Sequence, residues 1–180
     1  DLLITHIKGL VQVREPGTGP VGGTAMGELP VLSDSFVAIE DGVISAFGPM
    51  HALPSSLKAD ETILAAGRFV FPSFIDSHTH LVYAAPREEE FVMRIKGASY
   101  ADIAAKGGGI LNSAAKLRAM SEEELFQRSL PRALEIISTG TGAVEIKSGY
   151  GLTTADELKM LRVARRIGRE TPLTVKTTFL

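Results

Sequence analysis

His78 and His80 stand two residues apart in the segment Phe74-Ile75-Asp76-Ser77-His78-Thr79-His80, just after Pro72. In an extended chain successive side chains point to opposite faces, so both imidazoles project from one side together with Asp76. Two imidazoles on one face can reach a single metal ion. Zinc takes imidazole nitrogen at about 2.0–2.1 Å and, in catalytic sites, keeps one position open for water. The alternative is a pair of histidines satisfied by hydrogen bonds at a strand end. Ile75 and Leu81 fall on the other face, as expected if that face packs against helices while the histidine face looks into a barrel or cleft. The chain has no cysteine, which excludes disulfides and thiolate ligands, so any metal must be held by His, Asp or Glu. His6 and His51 lack a clustered partner and read as structural or solvated.

The elements that would position these groups divide the chain in two. Residues 1–70 read as a small all-β unit. Ile4 to Val13 alternates as a strand, Glu15 to Pro30 is a Gly/Pro-rich mobile loop, and Glu40-Asp41-Gly42 between two apolar runs marks a tight hairpin. Thr62-Ile63-Leu64 and Phe69-Val70-Phe71 add short strands. From residue 71 to 180 strands alternate with helices: the histidine strand, a helix over Arg87–Lys96, a break at Gly107-Gly108-Gly109 and a helix opened by the capping box at Ser121-Glu122-Glu123-Glu124, with Pro131 as a kink. Val144–Lys147 is the next strand, ending in Ser148-Gly149-Tyr150-Gly151. A helix from Thr154 to Arg169 and a strand from Leu173 to Leu180 follow. This β-α-β-α-β order calls for parallel strands with right-handed crossovers.

Three such strands close nothing, because a barrel of this type needs eight strands and typically about 250 residues. The expectation is therefore an N-terminal part of a longer polypeptide, or a fold completed by another chain. A net charge of -2 leaves no broad basic surface for nucleic acid. No apolar run is long enough to cross a membrane, and the first residues lack a signal peptide's basic region, so the expected location is the cytoplasm.

The segments Phe74–Val82, Arg87-Glu88-Glu89-Glu90-Phe91, Lys96–Tyr100, Gly107–Ile110, Glu145-Ile146-Lys147-Ser148-Gly149-Tyr150-Gly151-Leu152-Thr153 and Thr177–Leu180 resemble imidazolonepropionase, of the amidohydrolase superfamily. The hairpin at Asp41-Gly42 is similar to that superfamily's small β-sandwich. Ser73 and Ala84-Ala85-Pro86 depart from the family's usual glycines, and Thr141-Gly142-Ala143 replaces a more β-branched run. The resemblance implies an α/β protein: the N-terminal part of a TIM-like (β/α)8 amidohydrolase barrel, incomplete in this chain and preceded by a small β-sandwich segment. It also implies one divalent metal ion, zinc or iron, a possible homodimer, and hydrolysis of 4-imidazolone-5-propanoate to N-formimidoyl-L-glutamate in histidine breakdown.

Carried over by motif, His78 and His80 are metal ligands, and Arg87 and Tyr150 contact substrate, with Tyr100 a further candidate. The family's other metal ligands, a third His and an Asp, together with a Glu and a substrate-contacting His, are expected beyond Leu180. A bound metal lowers the pKa of its water toward about 7, and neutral imidazole ligands leave the ion's charge largely uncancelled. Arg87, a planar guanidinium, suits a carboxylate arm on the substrate; the alternative is a helix pair with Glu90. Tyr150, between two glycines after a strand end, can lean a hydroxyl over the site or pack in the turn. Lys147 reads as an interior ion pair with Glu145 rather than a metal-bridging lysine, and Asp76 as a carboxylate orienting a ligating His or a strand-end residue. The triple glycine reads as backbone flexibility near the site, since its spacing is not that of a phosphate loop. Two rival readings remain: another amidohydrolase acting on a small heterocycle, and a non-catalytic fragment that associates with a complementary chain.

Overall fold

In the computed structural model, Asp41 and Gly42 both take positive φ, 49° and 76°, the combination a two-residue hairpin needs to follow the twist of its strands. They join β2 (Val31–Glu40) to β3 (Val43–Pro49) in antiparallel register. The structure describes residues 1–14 and 17–180 and divides into two units, Asp1–Pro72 and Ser73–Leu180. Of the Gly/Pro-rich segment, Glu15 and Pro16 lie outside the described residues, and Gly23–Gly27 forms a 3-10 turn.

In the first unit β1 (Leu2–Val11) runs through the middle of the sheet. It pairs antiparallel with β2 and parallel with β4 (Glu61–Leu64) and β5 (Phe69–Val70). Leu3, Phe36 and Ala38 form one apolar cluster, and Ile7, Val37 and Ala65 another. Phe36 and Val37 fall in different clusters because adjacent strand residues face opposite ways. Leu3 and Ile7 would share a face by the same count. The register shifts between Ile4 and Ile7, where His6 takes φ 54°, and this bulge sends them to different clusters. His6 is thus a backbone device, its N–H resting on Met50 Sδ at 3.3 Å.

The second unit is a parallel sheet in the order β6 (Phe74–Thr79), β7 (Thr141–Lys147), β8 (Thr174–Thr178). Between β6 and β7 the chain forms α1 (Glu88–Ile95), α2 (Tyr100–Ala105), α3 (Ile110–Ala119) and α4 (Glu122–Ser138), and α5 (Thr154–Glu170) joins β7 to β8. Val144 and Ile146 of β7 are buried in one core with Phe126 and Ala133 of α4 and Val163 and Ile167 of α5. Glu145 and Lys147, alternating with them, point to the opposite face. The capping box at Ser121 and Glu124 opens α4, which continues through Pro131. Helices α2 and α3 flank the Gly107-Gly108-Gly109 break, and neither is among the helices expected from the sequence. Ser99 and Asp102 form a second capping box at the start of α2, and Gly109, at φ 87°, precedes α3.

Two details govern how β6 presents its residues. Gly142 of β7 lies against Ser73, and a Cβ at 142 would stand 2.2 Å from Ser73 Oγ and 2.6 Å from its Cβ. The serine at 73 and the glycine at 142 thus fit each other, one filling the space that the other leaves. Further along, Asp76 pairs with Val144 but Thr79 with Ile146, so three steps of β6 run against two of β7. Ile75 is 76% exposed, whereas Leu81 is buried. The expectation that both pack against helices holds for Leu81 alone among the described residues. No helix among these residues is long and apolar enough to cross a membrane.

Candidate metal and substrate site

His78 lies near the end of β6 and His80 one residue beyond it. Their ring centroids are 5.8 Å apart with planes tilted by 55°. Two imidazoles sharing one metal at about 2.1 Å hold their ring centres about 5–6 Å apart, so the pair is spaced for a common ion. His80 Nδ1 is buried without a hydrogen-bond partner, the one such side-chain atom among the described residues. A buried imidazole nitrogen left unpaired is costly, and a metal or a further side chain would satisfy it. Among the described residues no group of three or more His, Asp or Glu is arranged to hold a metal. These two histidines therefore fit part of a metal site, with further donors needed to complete it.

Asp76 is engaged with the backbone of the same strand. The slip between Asp76 and Thr79 interrupts the alternation that would align its side chain with the histidines. Its Oδ1 instead accepts the His78 backbone N–H at 3.1 Å, shaping the strand just before the site. Thr79 faces away from the histidines and donates from Oγ1 to Glu145 O at 2.7 Å, tying this end of β6 to β7.

Glu145 and Lys147 form an ion pair at 2.6 Å, and Thr178 Oγ1 donates to the same carboxylate. The hydrogen bond from Lys147 comes first, and with that from Thr178 and the charge of Lys147 it holds the Glu145 carboxyl below its usual range. Lys147 is thus engaged in a salt bridge, as its sequence context suggested.

Tyr150 approaches from the loop after β7, its ring centroid 5.3 Å from that of His80. A cleft beside it is lined by Tyr83, Ala84, Pro86, Arg87, Ser113 and Tyr150. Arg87 sits at the N-cap of α1 and donates from Nε to Glu90 Oε2 at 2.8 Å, with Nη2 on the same oxygen. The pair with Glu90, weighed as an alternative to substrate binding, is formed. It engages one edge of the guanidinium and leaves the Nη1 side for another carboxylate. The Glu90 hydrogen bond raises the Arg87 pKa above its ordinary value, opposed by partial burial and assisted by the charge of Glu90. Tyr100, exposed at the start of α2, has its hydroxyl 3.6 Å from where a Cβ at Gly109 would stand, and it does not line the cleft with Tyr150.

Three supporting contacts go beyond the sequence reading. Glu90 Oε1 accepts the Gly109 N–H at 2.8 Å, so one carboxylate joins Arg87 to the glycine turn. Arg132 of α4 donates to Leu81 O at 3.0 Å and Tyr83 O at 2.9 Å, and its guanidinium lies 3.8 Å from the Tyr83 ring centre. That fixes the segment leading from His80 to the cleft. Glu157 of α5 is buried against the loop that carries Tyr150. An acidic residue in a first helical turn gives no sequence signal of such a role, since most are solvated.

No protein-family model matches the chain. Among solved structures it is similar to an atrazine chlorohydrolase from Arthrobacter aurescens TC1 complexed with zinc, with a TM-score of 0.68 at 17% identity over 99% of this chain and 35% of that one. It is also similar to Escherichia coli guanine deaminase, with a TM-score of 0.56 at 13% identity over 99% of this chain and 35% of that one. The chain thus shares its fold with about a third of each of these larger proteins. Over 178 residues the chain is 52% identical to the imidazolonepropionase of Flavobacterium johnsoniae and 53% identical to that of Flavobacterium psychrophilum. Each match covers 99% of this chain and 43% of the relative. The chain is homologous over its length to the N-terminal portion of imidazolonepropionases.

Proposed function

We propose that this chain supplies part of the active site of an enzyme that hydrolyses 4-imidazolone-5-propanoate to N-formimidoyl-L-glutamate in histidine breakdown. In this reading the unit from Asp1 to Pro72 is part of a β-sandwich, and that from Ser73 to Leu180 forms the first strands and helices of a (β/α)8 barrel in a cytoplasmic enzyme. The observation that carries the proposal is the juxtaposition of the His78 and His80 rings, an unpartnered buried nitrogen on His80, and Tyr150 between His80 and the Arg87 cleft. The sequence identity to imidazolonepropionases supports the choice of substrate.

His78 and His80 would hold one divalent ion, zinc or iron, with donors from the rest of the protein. When bound, such an ion supplies a nucleophilic water at neutral pH and polarises the ring carbonyl. Water adds at that carbonyl, the ring C–N bond breaks, and the departing nitrogen takes up the proton. Arg87 directs its free edge at the propanoate carboxylate, while Glu90 fixes the other edge and so the direction of the fork. The Tyr150 hydroxyl hydrogen-bonds the substrate ring or its carboxylate. Holding the ring at one end and the carboxylate at the other orients the carbonyl before reaction, which is where such a site gains much of its rate.

The test is metal content and turnover of full-length His78→Ala and Arg87→Ala variants. The first loses metal and activity together, and the second keeps its metal but loses preference for substrates bearing a carboxylate arm. Normal turnover by both variants would end the proposal. A panel of heterocycles with and without the arm separates this reading from hydrolysis of another heterocycle.

A further inference from the structure

We propose that Glu157 is the positioning residue that fixes Tyr150 beside the two histidines. This rests on the reading of Tyr150 as a substrate contact, and goes beyond it by assigning what holds that contact in place. Glu157 is 4% exposed and lies in the first turns of α5, after the N-cap Thr153. Its Oε2 accepts the N–H of Gly149 at 2.5 Å, and its Oε1 accepts those of Gly151 at 2.7 Å and Leu152 at 2.7 Å. The residue enclosed by these three donors is Tyr150.

The loop does not take this shape by local preference. Gly149 has φ 126° and Leu152 has φ 58°, a left-handed conformation that a leucine seldom adopts. Both bends turn their N–H groups inward, where a buried carboxylate receives them. Arg118 of α3 holds the same loop from another side, donating to Gly151 O at 2.9 Å. Gly151 leaves no slack against the helix, since a Cβ there would meet Asp156 Cβ at 2.6 Å. Gly149 in turn lies against the site, where a Cβ would stand 3.5 Å from His80 Cε1. One carboxylate thus ties both sides of Tyr150 to a rigid helix, next to a ring proposed to bind metal. Burying an acid costs free energy unless it is fully hydrogen-bonded, and here the bonds go to three N–H groups of one short loop.

Glutamine at 157 keeps the shape but presents an NH2 to at least one of the inward N–H groups, so it cannot accept all three. The test uses the full-length, metal-loaded enzyme with Glu157→Gln, Tyr150→Phe and the double variant. Hydrogen exchange at the Gly149, Gly151 and Leu152 amides is expected to quicken about tenfold or more in Glu157→Gln, while α5 amides beyond the second turn keep their protection. In kinetics, Glu157→Gln lowers kcat/KM about tenfold or more when Tyr150 is present and less than about twofold in the Tyr150→Phe background, because both changes remove the same contact. Losses that multiply, or loop amides that stay protected, would overturn the inference. Tyr150→Phe with parental kcat/KM would instead overturn the reading on which the inference rests, a result distinct from either. If Glu157→Gln does not fold, Glu157→Asp, which keeps the charge but loses one methylene of reach, is judged by the same two measurements.

Discussion

Gly142→Ala is expected to weaken the strand pair that carries the histidines, and Ser73→Gly is expected to relieve it. The added Cβ would stand 2.2 Å from Ser73 Oγ and 2.6 Å from Ser73 Cβ. Rotation about the serine χ1 swings Oγ aside but leaves Cβ where it is. The backbone at 73 or 142 must then shift by several tenths of an ångström or more, and overpacking of this kind costs about 1–3 kcal/mol. Against it stands the usual advantage of Ala over Gly within a strand, roughly 0.5–1 kcal/mol. The steric cost outweighs it over nearly the whole range, leaving a net loss of about 0–2.5 kcal/mol. The shift would also reach the site, because Ser73 precedes Phe74, whose N–H bonds Gly140 O at 2.9 Å where β6 begins. The assay is denaturant unfolding of the full-length protein for both single variants and the double. Coupling of about 1–3 kcal/mol, with Ser73→Gly/Gly142→Ala close to the parent, is the expected result. Single effects that add to within about 0.5 kcal/mol would refute the claim that Gly142 is there to clear Ser73.

Other consequences are as direct. Arg132→Met removes the donors to Leu81 O and Tyr83 O and should cost about 2–4 kcal/mol in unfolding free energy, with weaker metal retention at the neighbouring His80. The hydrogen bond from Arg87, helped by that from the Gly109 N–H, holds Glu90 below its ordinary value of 4.5. Because the folded value is the lower one, this stabilisation is present above 4.5 and is lost as pH falls through the depressed value. Denaturation at stepped pH should therefore show a decline below 4.5 that is smaller in Glu90→Gln, and identical slopes would refute the linkage. Ser99→Ala, which removes the α2 cap, should cost about 1 kcal/mol, read as faster exchange of the Asp102 amide.

Much of the strand order was legible because local chemistry dictates it. Asp41-Gly42 supplies the two positive φ values that a tight hairpin needs, and Ser121 with Glu124 satisfies the N–H groups that open α4. The adjacency of His78 and His80 was equally local, as both sit at one strand end. What sequence could not give depends on neighbours distant along the chain. The slip between Asp76 and Thr79 is set by pairing with β7, which counting alternate residues along β6 does not reveal. Helices α2 and α3 are short and follow glycines, which hides their periodicity. Glu90 and Glu157 look like ordinary acidic residues at helix starts. The Arg87–Glu90 pair could be weighed from spacing alone, but only folding shows that Glu90 also grips Gly109 and that Glu157 grips the loop around Tyr150.

The central claim, that His78 and His80 share one metal ion, is tested most directly by anomalous diffraction from crystals of the full-length protein grown with zinc or iron. A single peak within about 2.0–2.3 Å of a ring nitrogen of both residues is the predicted result. A metal bound elsewhere, with the His80 imidazole bonded only to peptide groups in metal-replete crystals, would contradict it.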